Sequence, residues 1–284
     1  MIAKFPLSST IELTDGEFEK ISRLVYEQCG INLSEGKKEL VRARLGKRIR
    51  EGQFKSFKDY YRYVVEDPSG DELIYLLDSI STNFTSFFRE ISHFDYLRSR
   101  MVPEWMAAKR IGGYTLRIWS AGCSSGEEPY SIVVVLLDTI KNPSAWDLSV
   151  LGTDISSKVL KTAQSGIYPK ERIRAVPKNV VKRYFLRGDH QWQDYVKVKD
   201  QVRQYVHFKR LNLMEPFSFK EPFDCIFCRN VMIYFDKKTQ AALVNRFYGL
   251  LQKGGYLVIG HSESLTGIQH PFVYLKPTIY KRTE

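Results

Sequence analysis

The sequence predicts an α/β protein built on a parallel, doubly wound sheet, with a small antiparallel β insertion in that domain and a small all-helical domain ahead of it. Three observations predict it. Residues 13–80 carry apolar side chains at helical spacing. After Gly112 and Gly113, short β-rich runs alternate with helical ones, the pattern of a parallel sheet. Residues 178–207 break that rhythm with the two-residue alternation of antiparallel strands.

Each element has a local reason. Thr14-Asp15-Gly16-Glu17 has the spacing of a capping box, and Phe18, Ile21, Leu24 and Val25 fall on one face of the helix it would start. Leu40, Val41, Leu45 and Ile49 form a second apolar face, and Gly30 and Gly52 sit where helices can stop. Strands are expected at 114–120, 148–154, 205–211, 223–228 and 256–260. Helices are expected at 130–140, 158–164 and 237–251, the last closed by Gly254 and Gly255. The expected domains are a helical one over residues 1–85, an interdomain linker over 86–113, and a sheet domain over 114–284 with its β insertion at 178–207.

Composition bounds the function. At 284 residues with 43% hydrophobic and 13% aromatic content, the chain builds real cores. No apolar run approaches the roughly 18 residues of a membrane span, and residues 1–10 lack the pattern of a secretory signal. Cys29, Cys123, Cys225 and Cys228 show no disulfide framework, so the expected compartment is the cytoplasm. A formal charge of +11 predicts an acidic partner without choosing among nucleic acid, membrane surface and protein.

The stretch "WSAGCSSGEEPYS" (119–131) occupies the turn after the first expected strand, the prime ligand position of a doubly wound sheet. Ala121, Gly122, Ser124, Ser125 and Gly126 admit close approach to the backbone, and Pro129 suits the first turn of a helix. A phosphate would normally sit at that helix start. Here Glu127 and Glu128 occupy the position and would repel it. Asp154, ending the next strand, is placed to accept from two ribose hydroxyls. A nucleoside with positive charge and no phosphate is S-adenosylmethionine. Asn212, Asn230 and Tyr234 follow later strands and line the same crevice.

These stretches, taken in order with "TNFTSFFRE" (82–90), "GTDIS" (152–156), "NLME" (212–215), "FCRNVMIYFD" (227–236) and "GHSES" (260–264), resemble the CheR family of chemotaxis receptor methyltransferases. The resemblance extends over nearly the whole chain, including "CGINL" and "KKELVRARL" in the helical part. It implies a Rossmann-like S-adenosylmethionine-dependent methyltransferase domain. The implied reaction is methyl esterification of glutamate side chains on methyl-accepting chemotaxis receptors, leaving S-adenosylhomocysteine and needing no metal. It further implies that Asn83, Thr85 and Arg89 contact the cofactor, together with the turn at Ala121 and Glu127 or Glu128. By the same resemblance Asp154 lies at the ribose, Asn212 and Leu213 near the adenine, and Arg229 and Asn230 near the methionine part. Arg89 and Tyr234 are the family positions nearest the methyl-transfer centre. "AGC" carries a glycine where relatives commonly have a second alanine, a change the turn tolerates.

A glutamate substrate is already ionised at neutral pH, with an ordinary pKa near 4.3, so no general base is required. Lys37, Lys38, Arg42, Arg44, Lys47, Arg48 and Arg50 cluster on one expected helix and suit docking to acidic receptor helices. In some relatives the β insertion adds a receptor's carboxyl-terminal peptide as an extra strand, and the loop "RGDHQWQDY" (187–195) is compatible with that type. The competing readings are a nucleic-acid methyltransferase and a non-catalytic S-adenosylmethionine sensor. The first is disfavoured because the basic residues do not interleave with aromatics, the second because Arg89 and Tyr234 are intact. Cys225 and Cys228 lack a second ligand pair, and the histidines at 93, 190, 207, 261 and 270 show no metal-ligand spacing. Nothing demands more than a monomer.

Overall fold

The computed structural model describes residues 11–81, 83–108 and 114–284, with the side chain of Tyr114 excepted. The chain divides into two compact units, Met1–Thr82 and Asn83–Glu284. Residue 82 of the "TNFTSFFRE" motif and the Gly112 and Gly113 boundary lie outside the described residues.

The first unit is helical: α1 (Asp15–Cys29), α2 (Lys38–Glu51), α3 (Phe57–Glu66) and α4 (Asp71–Ile80). Thr14 caps α1 in a complete capping box with Glu17, and Gly30, at φ 72°, ends it in the left-handed conformation. The core takes Phe18, Ile21, Val25, Val41, Leu45 and Ile49 from the predicted faces, together with Phe57 and Tyr60, whereas Leu24 is half-buried and Leu40, expected on the second face, is exposed.

The basic cluster of α2 does not form one outward face. Arg48 is turned inward onto the buried carboxylate of Glu72, and Arg44 donates to the carbonyls of Ile80 and Ser81 at the end of α4. Lys38 pairs with Asp15 at 2.5 Å, and Arg42 with Glu39. A 3.6-residue repeat spreads seven neighbouring cations around the helix, and those nearest α4 meet its orphan carbonyls and acid. The outward ridge is Leu40, Ala43, Lys47 and Arg50.

The second unit begins with helices where a linker was expected. α5 (Ile91–Tyr96), a π-helical stretch (Leu97–Met101) and α6 (Val102–Ala108) bury Phe94, Leu97, Met101, Val102 and Trp105 in the main core. The sheet domain then runs β1 (Tyr114–Ala121), α7 (Glu127–Thr139), β2 (Trp146–Asp154), α8 (Ser157–Ser165), β3 (Ile167–Pro169), α9 (Lys178–Tyr184), β4 (Phe185–Arg187), β5 (Tyr195–Val198), α10 (Asp200–Arg203) and β6 (Val206–Arg210). It closes with β7 (Phe223–Cys228), α11 (Lys237–Leu250), β8 (Leu251–Ile259), β9 (Val273–Lys276) and β10 (Ile279–Lys281).

The main sheet is seven-stranded in the order β6-β2-β1-β7-β8-β10-β9. Its first five strands are parallel, and β10 and β9 join antiparallel. Both faces are covered, as a parallel sheet requires. Leu116 and Ile118 of β1 with Cys225 and Phe227 of β7 face one core, while Trp119 and Ala121 with Ile226 and Cys228 face the other. Cys225 and Cys228 therefore lie on opposite faces, and burial pushes both thiols well up from their ordinary pKa.

Three expectations need correction. The insertion is a three-stranded sheet in the order β3-β5-β4 that recruits residues 167–169, ahead of the expected 178, and ends before residues 206 and 207, which belong to β6 of the main sheet, inside the strand expected at 205–211. Residues 178–184 within it are helical. Gly254 and Gly255 do not end α11; they lie inside β8, where Gly254, at φ 83°, donates to Arg282 and the ladder to β7 shifts register. No helix among the described residues is long and apolar enough to cross a membrane.

Trp119 is fully buried among Phe217, Phe219, Phe223 and Phe247, and its indole N–H donates to Thr153 Oγ1 at 2.9 Å. Truncating it leaves a large cavity under β1, the middle one of the five parallel strands. W119A is expected to lower unfolding stability by about 3–5 kcal/mol, read as a drop in the urea midpoint at unchanged slope.

Candidate functional site

The strand order reverses between β1 and β7: the chain leaves β1 toward β2 and β6, then returns to β7 and β8. A crevice opens at the carboxyl ends of the two strands flanking such a switch point. The register brings those ends level, with Ser120 opposite Phe227 on one side and Ala121 opposite Thr153 on the other.

The turn after β1 is built by backbone hydrogen bonds. The N–H groups of Gly122 and Cys123 both donate to the Thr153 carbonyl at 2.8 Å. Gly122 has φ 78°, and a Cβ there would lie 2.3 Å from Val231 Cγ2, so an alanine at this position in this chain would require the Val231 side chain to shift. Ser124, also at positive φ, donates its N–H to Asp154 Oδ2 and its hydroxyl to the Asn83 carbonyl. Asp154 Oδ1 accepts from Ser156 N–H. Both oxygens of the buried Asp154 carboxylate are thus held by backbone N–H groups at the end of β2. Leu211 N–H donates to the Asp154 carbonyl, which joins the end of β6 to the end of β2.

Gly126 starts α7, placing both acids in its first turn. Glu127 is fully buried. Burial pushes its carboxyl above the usual range, against the Ser125 hydroxyl at 2.7 Å and Arg172 at 3.4 Å. Arg172 also donates to the Thr85 carbonyl. Glu128 accepts from Ser120 Oγ at 2.7 Å and from Arg229 at 2.8 Å.

Arg229, directly after β7, has only 2% of its side chain exposed. Its guanidinium lies between Glu128 and Glu90, donates to the Arg89 carbonyl, and sits 5.6 Å from the Phe94 ring centre. Asn230, at φ 59°, donates to Glu90 Oε1. Burial alone would raise the Glu90 carboxyl; Arg229 and Asn230 hold it below the ordinary value. Burial together with Arg229 pushes the His93 imidazole beside it down to about 3, so that ring is neutral.

The remaining expected positions surround this network. Arg89 is half-buried, donates to the Phe84 carbonyl at 2.9 Å and lies 5.8 Å from the ring centre of Phe84, which is itself 73% exposed. Asn212 closes a turn by accepting from Met214 N–H and donating to Glu215. Leu213 shares an apolar cluster with Ala121 and Cys228, against which Tyr234 packs. Tyr234 ends a single 3-10 turn (Met232–Tyr234). That turn hangs from the buried Glu263 carboxylate, which accepts from the N–H groups of Asn230, Val231, Met232, Ile233 and Gly260.

The structure thus joins Glu128, Arg229, Asn230 and the backbone of Arg89 in one network, and links Asn83, Ser124 and Asp154 in another. Sequence reasoning missed Glu90, Arg172 and Glu263. Glu90 ends the "TNFTSFFRE" stretch and Glu263 lies inside "GHSES", so the motifs held the signal while chain spacing gave no partner for either. It also missed that Glu90, His93 and His261 converge.

Residues 83–281 match the family model described as CheR methyltransferase, SAM binding domain, and residues 16–81 match CheR methyltransferase, all-alpha domain. The chain belongs to the CheR methyltransferase family. It is 43% identical to the chemotaxis protein methyltransferase of Borreliella burgdorferi, with 98% of each chain covered. It is 40% identical to the probable chemotaxis protein methyltransferase of Rhizobium etli, over 92% of this chain and 97% of the relative. It is 38% identical to that of Escherichia coli, over 96% and 93%. The CheR assignment makes the second unit the S-adenosylmethionine-binding domain of a chemotaxis-type methyltransferase. The start of α7 carries two acids rather than a phosphate cradle, which fits a cofactor with a cationic centre and no phosphate.

Because five backbone donors converge on Glu263, an amide there turns an NH2 group toward donors that need an acceptor. E263Q is expected to destabilise this CheR-family fold by about 2–4 kcal/mol through unsatisfied buried N–H groups. Equilibrium denaturation reads the loss.

Proposed function

We propose that this chain transfers a methyl group from S-adenosylmethionine to glutamate side-chain carboxylates of methyl-accepting chemotaxis proteins, giving glutamate methyl esters and S-adenosylhomocysteine. The observation that carries this reading is the acid-lined start of α7 at the switch point, beside Asp154. The cofactor supplies an electrophilic methyl group on a sulfonium. In the proposed roles Asp154 binds the ribose hydroxyls, Asn212 and Leu213 border the adenine, and Asn83, Thr85, Ala121 and one of Glu127 and Glu128 complete the pocket. Arg229 acts as a positioning residue, because Glu90, Glu128 and the Arg89 carbonyl already engage its guanidinium; Asn230 extends that contact. Arg89 clamps a carboxylate, by preference the cofactor's own, since a guanidinium on the attacking oxygen would lower its nucleophilicity. Tyr234 orients a polar group and transfers no proton. The substrate carboxylate is already ionised, so the protein's share of the rate is positioning and a charge environment suited to a cation and an anion that neutralise one another.

Docking is proposed to use the outward ridge of α2, with Lys47 and Arg50 facing acidic receptor helices. A receptor carboxyl-terminal peptide is proposed to add to the edge strand β4, which exposes Leu186, near exposed Trp192 of the following 3-10 turn and Tyr195 at the start of β5.

The test is transfer of radiolabelled methyl from S-adenosylmethionine to membranes carrying chemoreceptors. Label released as methanol by mild base supports glutamyl esters; label that appears only in RNA and resists base overturns the substrate. R89A is expected to lower kcat at least about a hundredfold, and D154A to weaken S-adenosylmethionine binding about tenfold or more in equilibrium dialysis. The double variant K47E/R50E is expected to raise the KM for receptor membranes at low salt, with the difference shrinking as salt rises.

A further inference from the structure

Beside the Arg229 network, Glu90, His93 and His261 each place one ligand atom within 4.8 Å of the others. The two histidines have no part in the roles assigned above. His93 is 1% exposed, and its Nε2 lies 2.6 Å from the Thr278 hydroxyl. That hydroxyl donates its single proton to the Pro277 carbonyl at 2.5 Å, so it can only accept from the imidazole. The tautomer that completes both contacts has the ring proton on Nε2 and leaves a lone pair on Nδ1.

Nδ1 is buried without a hydrogen-bond partner and faces Glu90 Oε2 at 3.4 Å. An unpartnered imidazole nitrogen thus lies beside a carboxylate oxygen that already accepts from Arg229 Nη2 and the His261 N–H, and a cation bound there satisfies the nitrogen. The separation of nitrogen and oxygen is close to the spacing of two ligands on a tetrahedral zinc ion, about 3.3 Å for bonds of about 2.0–2.1 Å. A donated proton on the far nitrogen is also how a metal-ligating histidine is usually oriented. The His261 ring meets that of His93 edge-on at 4.8 Å between centres and is exposed, so a rotamer change away from Ser92 closes it onto the same point.

We propose that Glu90, His93 and His261 form a three-ligand site for a divalent ion of the zinc class, with the fourth position open. Two imidazoles and one carboxylate favour zinc, cobalt or nickel over magnesium and calcium. The ion shares Glu90 Oε2 with Arg229, whose Nη2 reaches the same oxygen at 3.0 Å. Occupancy therefore competes with the contact that holds Arg229, and the ion acts on the crevice from behind.

The experiment is cobalt titration of the whole protein followed in the visible spectrum, with zinc competition read by a chromophoric chelator. The expected result is one ion per chain, an intense ligand-field band of tetrahedral type, and displacement by zinc but not by magnesium. H261A, at an exposed position, is expected to bind at least about tenfold more weakly and to lose the band with an unchanged far-ultraviolet circular dichroism spectrum. T278V, which removes the acceptor that fixes the ring tautomer, is expected to weaken binding about tenfold. H207A, on β6, is expected to bind as the unsubstituted protein does. Cobalt binding by H261A equal to that of the unsubstituted protein, or no band in the unsubstituted protein, overturns the proposal.

Discussion

The crevice depends on one buried cation. Arg229 leaves the end of β7 and ties together segments distant in the chain: Glu128 in the first turn of α7, Glu90 ahead of α5, and the carbonyl of Arg89. Removing a guanidinium from water is costly, and the cost is offset only where carboxylates and carbonyls surround it with good geometry. Glu90 and Glu128 do so here, and Phe94 covers the flat face. Such an ion resists displacement, because any shift of the 84–90 segment would leave a charge uncompensated. The backbone bearing Arg89 is thus held against the sheet by electrostatics, while the Arg89 side chain rests on the exposed Phe84 ring.

A second device acts on the opposite wall. Glu263 gathers the N–H groups that begin the 3-10 turn, and a carboxylate so placed does what a bound anion does at a helix start. It fixes the backbone between Asn230 and Tyr234 without occupying the crevice itself. Gly122 is then confined by Val231 from that turn. The walls of the crevice are therefore made mutually dependent by close packing, the condition under which catalytic groups keep their geometry.

Much of this was legible in the chain. Strands β1, β2 and β7 announce themselves by length and apolar runs, and the turn at 122–126 by its small residues followed by acids. The C-terminal pair β9 and β10 was not visible: the residues of β9 are all exposed, so burial imposes no alternation on them. Residues 86–108 read as a connection because α5 and α6 are short and their apolar positions pass through a π-helical stretch that breaks the 3.6-residue period. The role of Gly254 was misread because a glycine after a helix and a glycine in a bulged strand look alike locally. Charge was the least legible quantity. A count of cations on α2 cannot tell Arg48, committed to Glu72, from Lys47, which faces water. Likewise Glu90 and His93 are three residues apart, but only the fold brings His261 to them.

The strand order has a consequence for how the molecule comes into being. β1 sits at the centre of the five parallel strands, yet one of its neighbours, β7, pairs Cys225 with Ile118 only after the insertion and β6 have been made. β8 gains its outer neighbour last, when Ile279 pairs with Val258. Contacts so remote along the chain slow folding, because loop closure precedes any reward. During synthesis the edge of β8 stays open until residues 279–281 emerge, while the helical unit, whose contacts are local, has long been free to form. The chain thus passes through a stage in which an N-terminal bundle is complete and a sheet edge is exposed behind it. That stage is where a nascent chain of this kind is most open to mispairing with a neighbour.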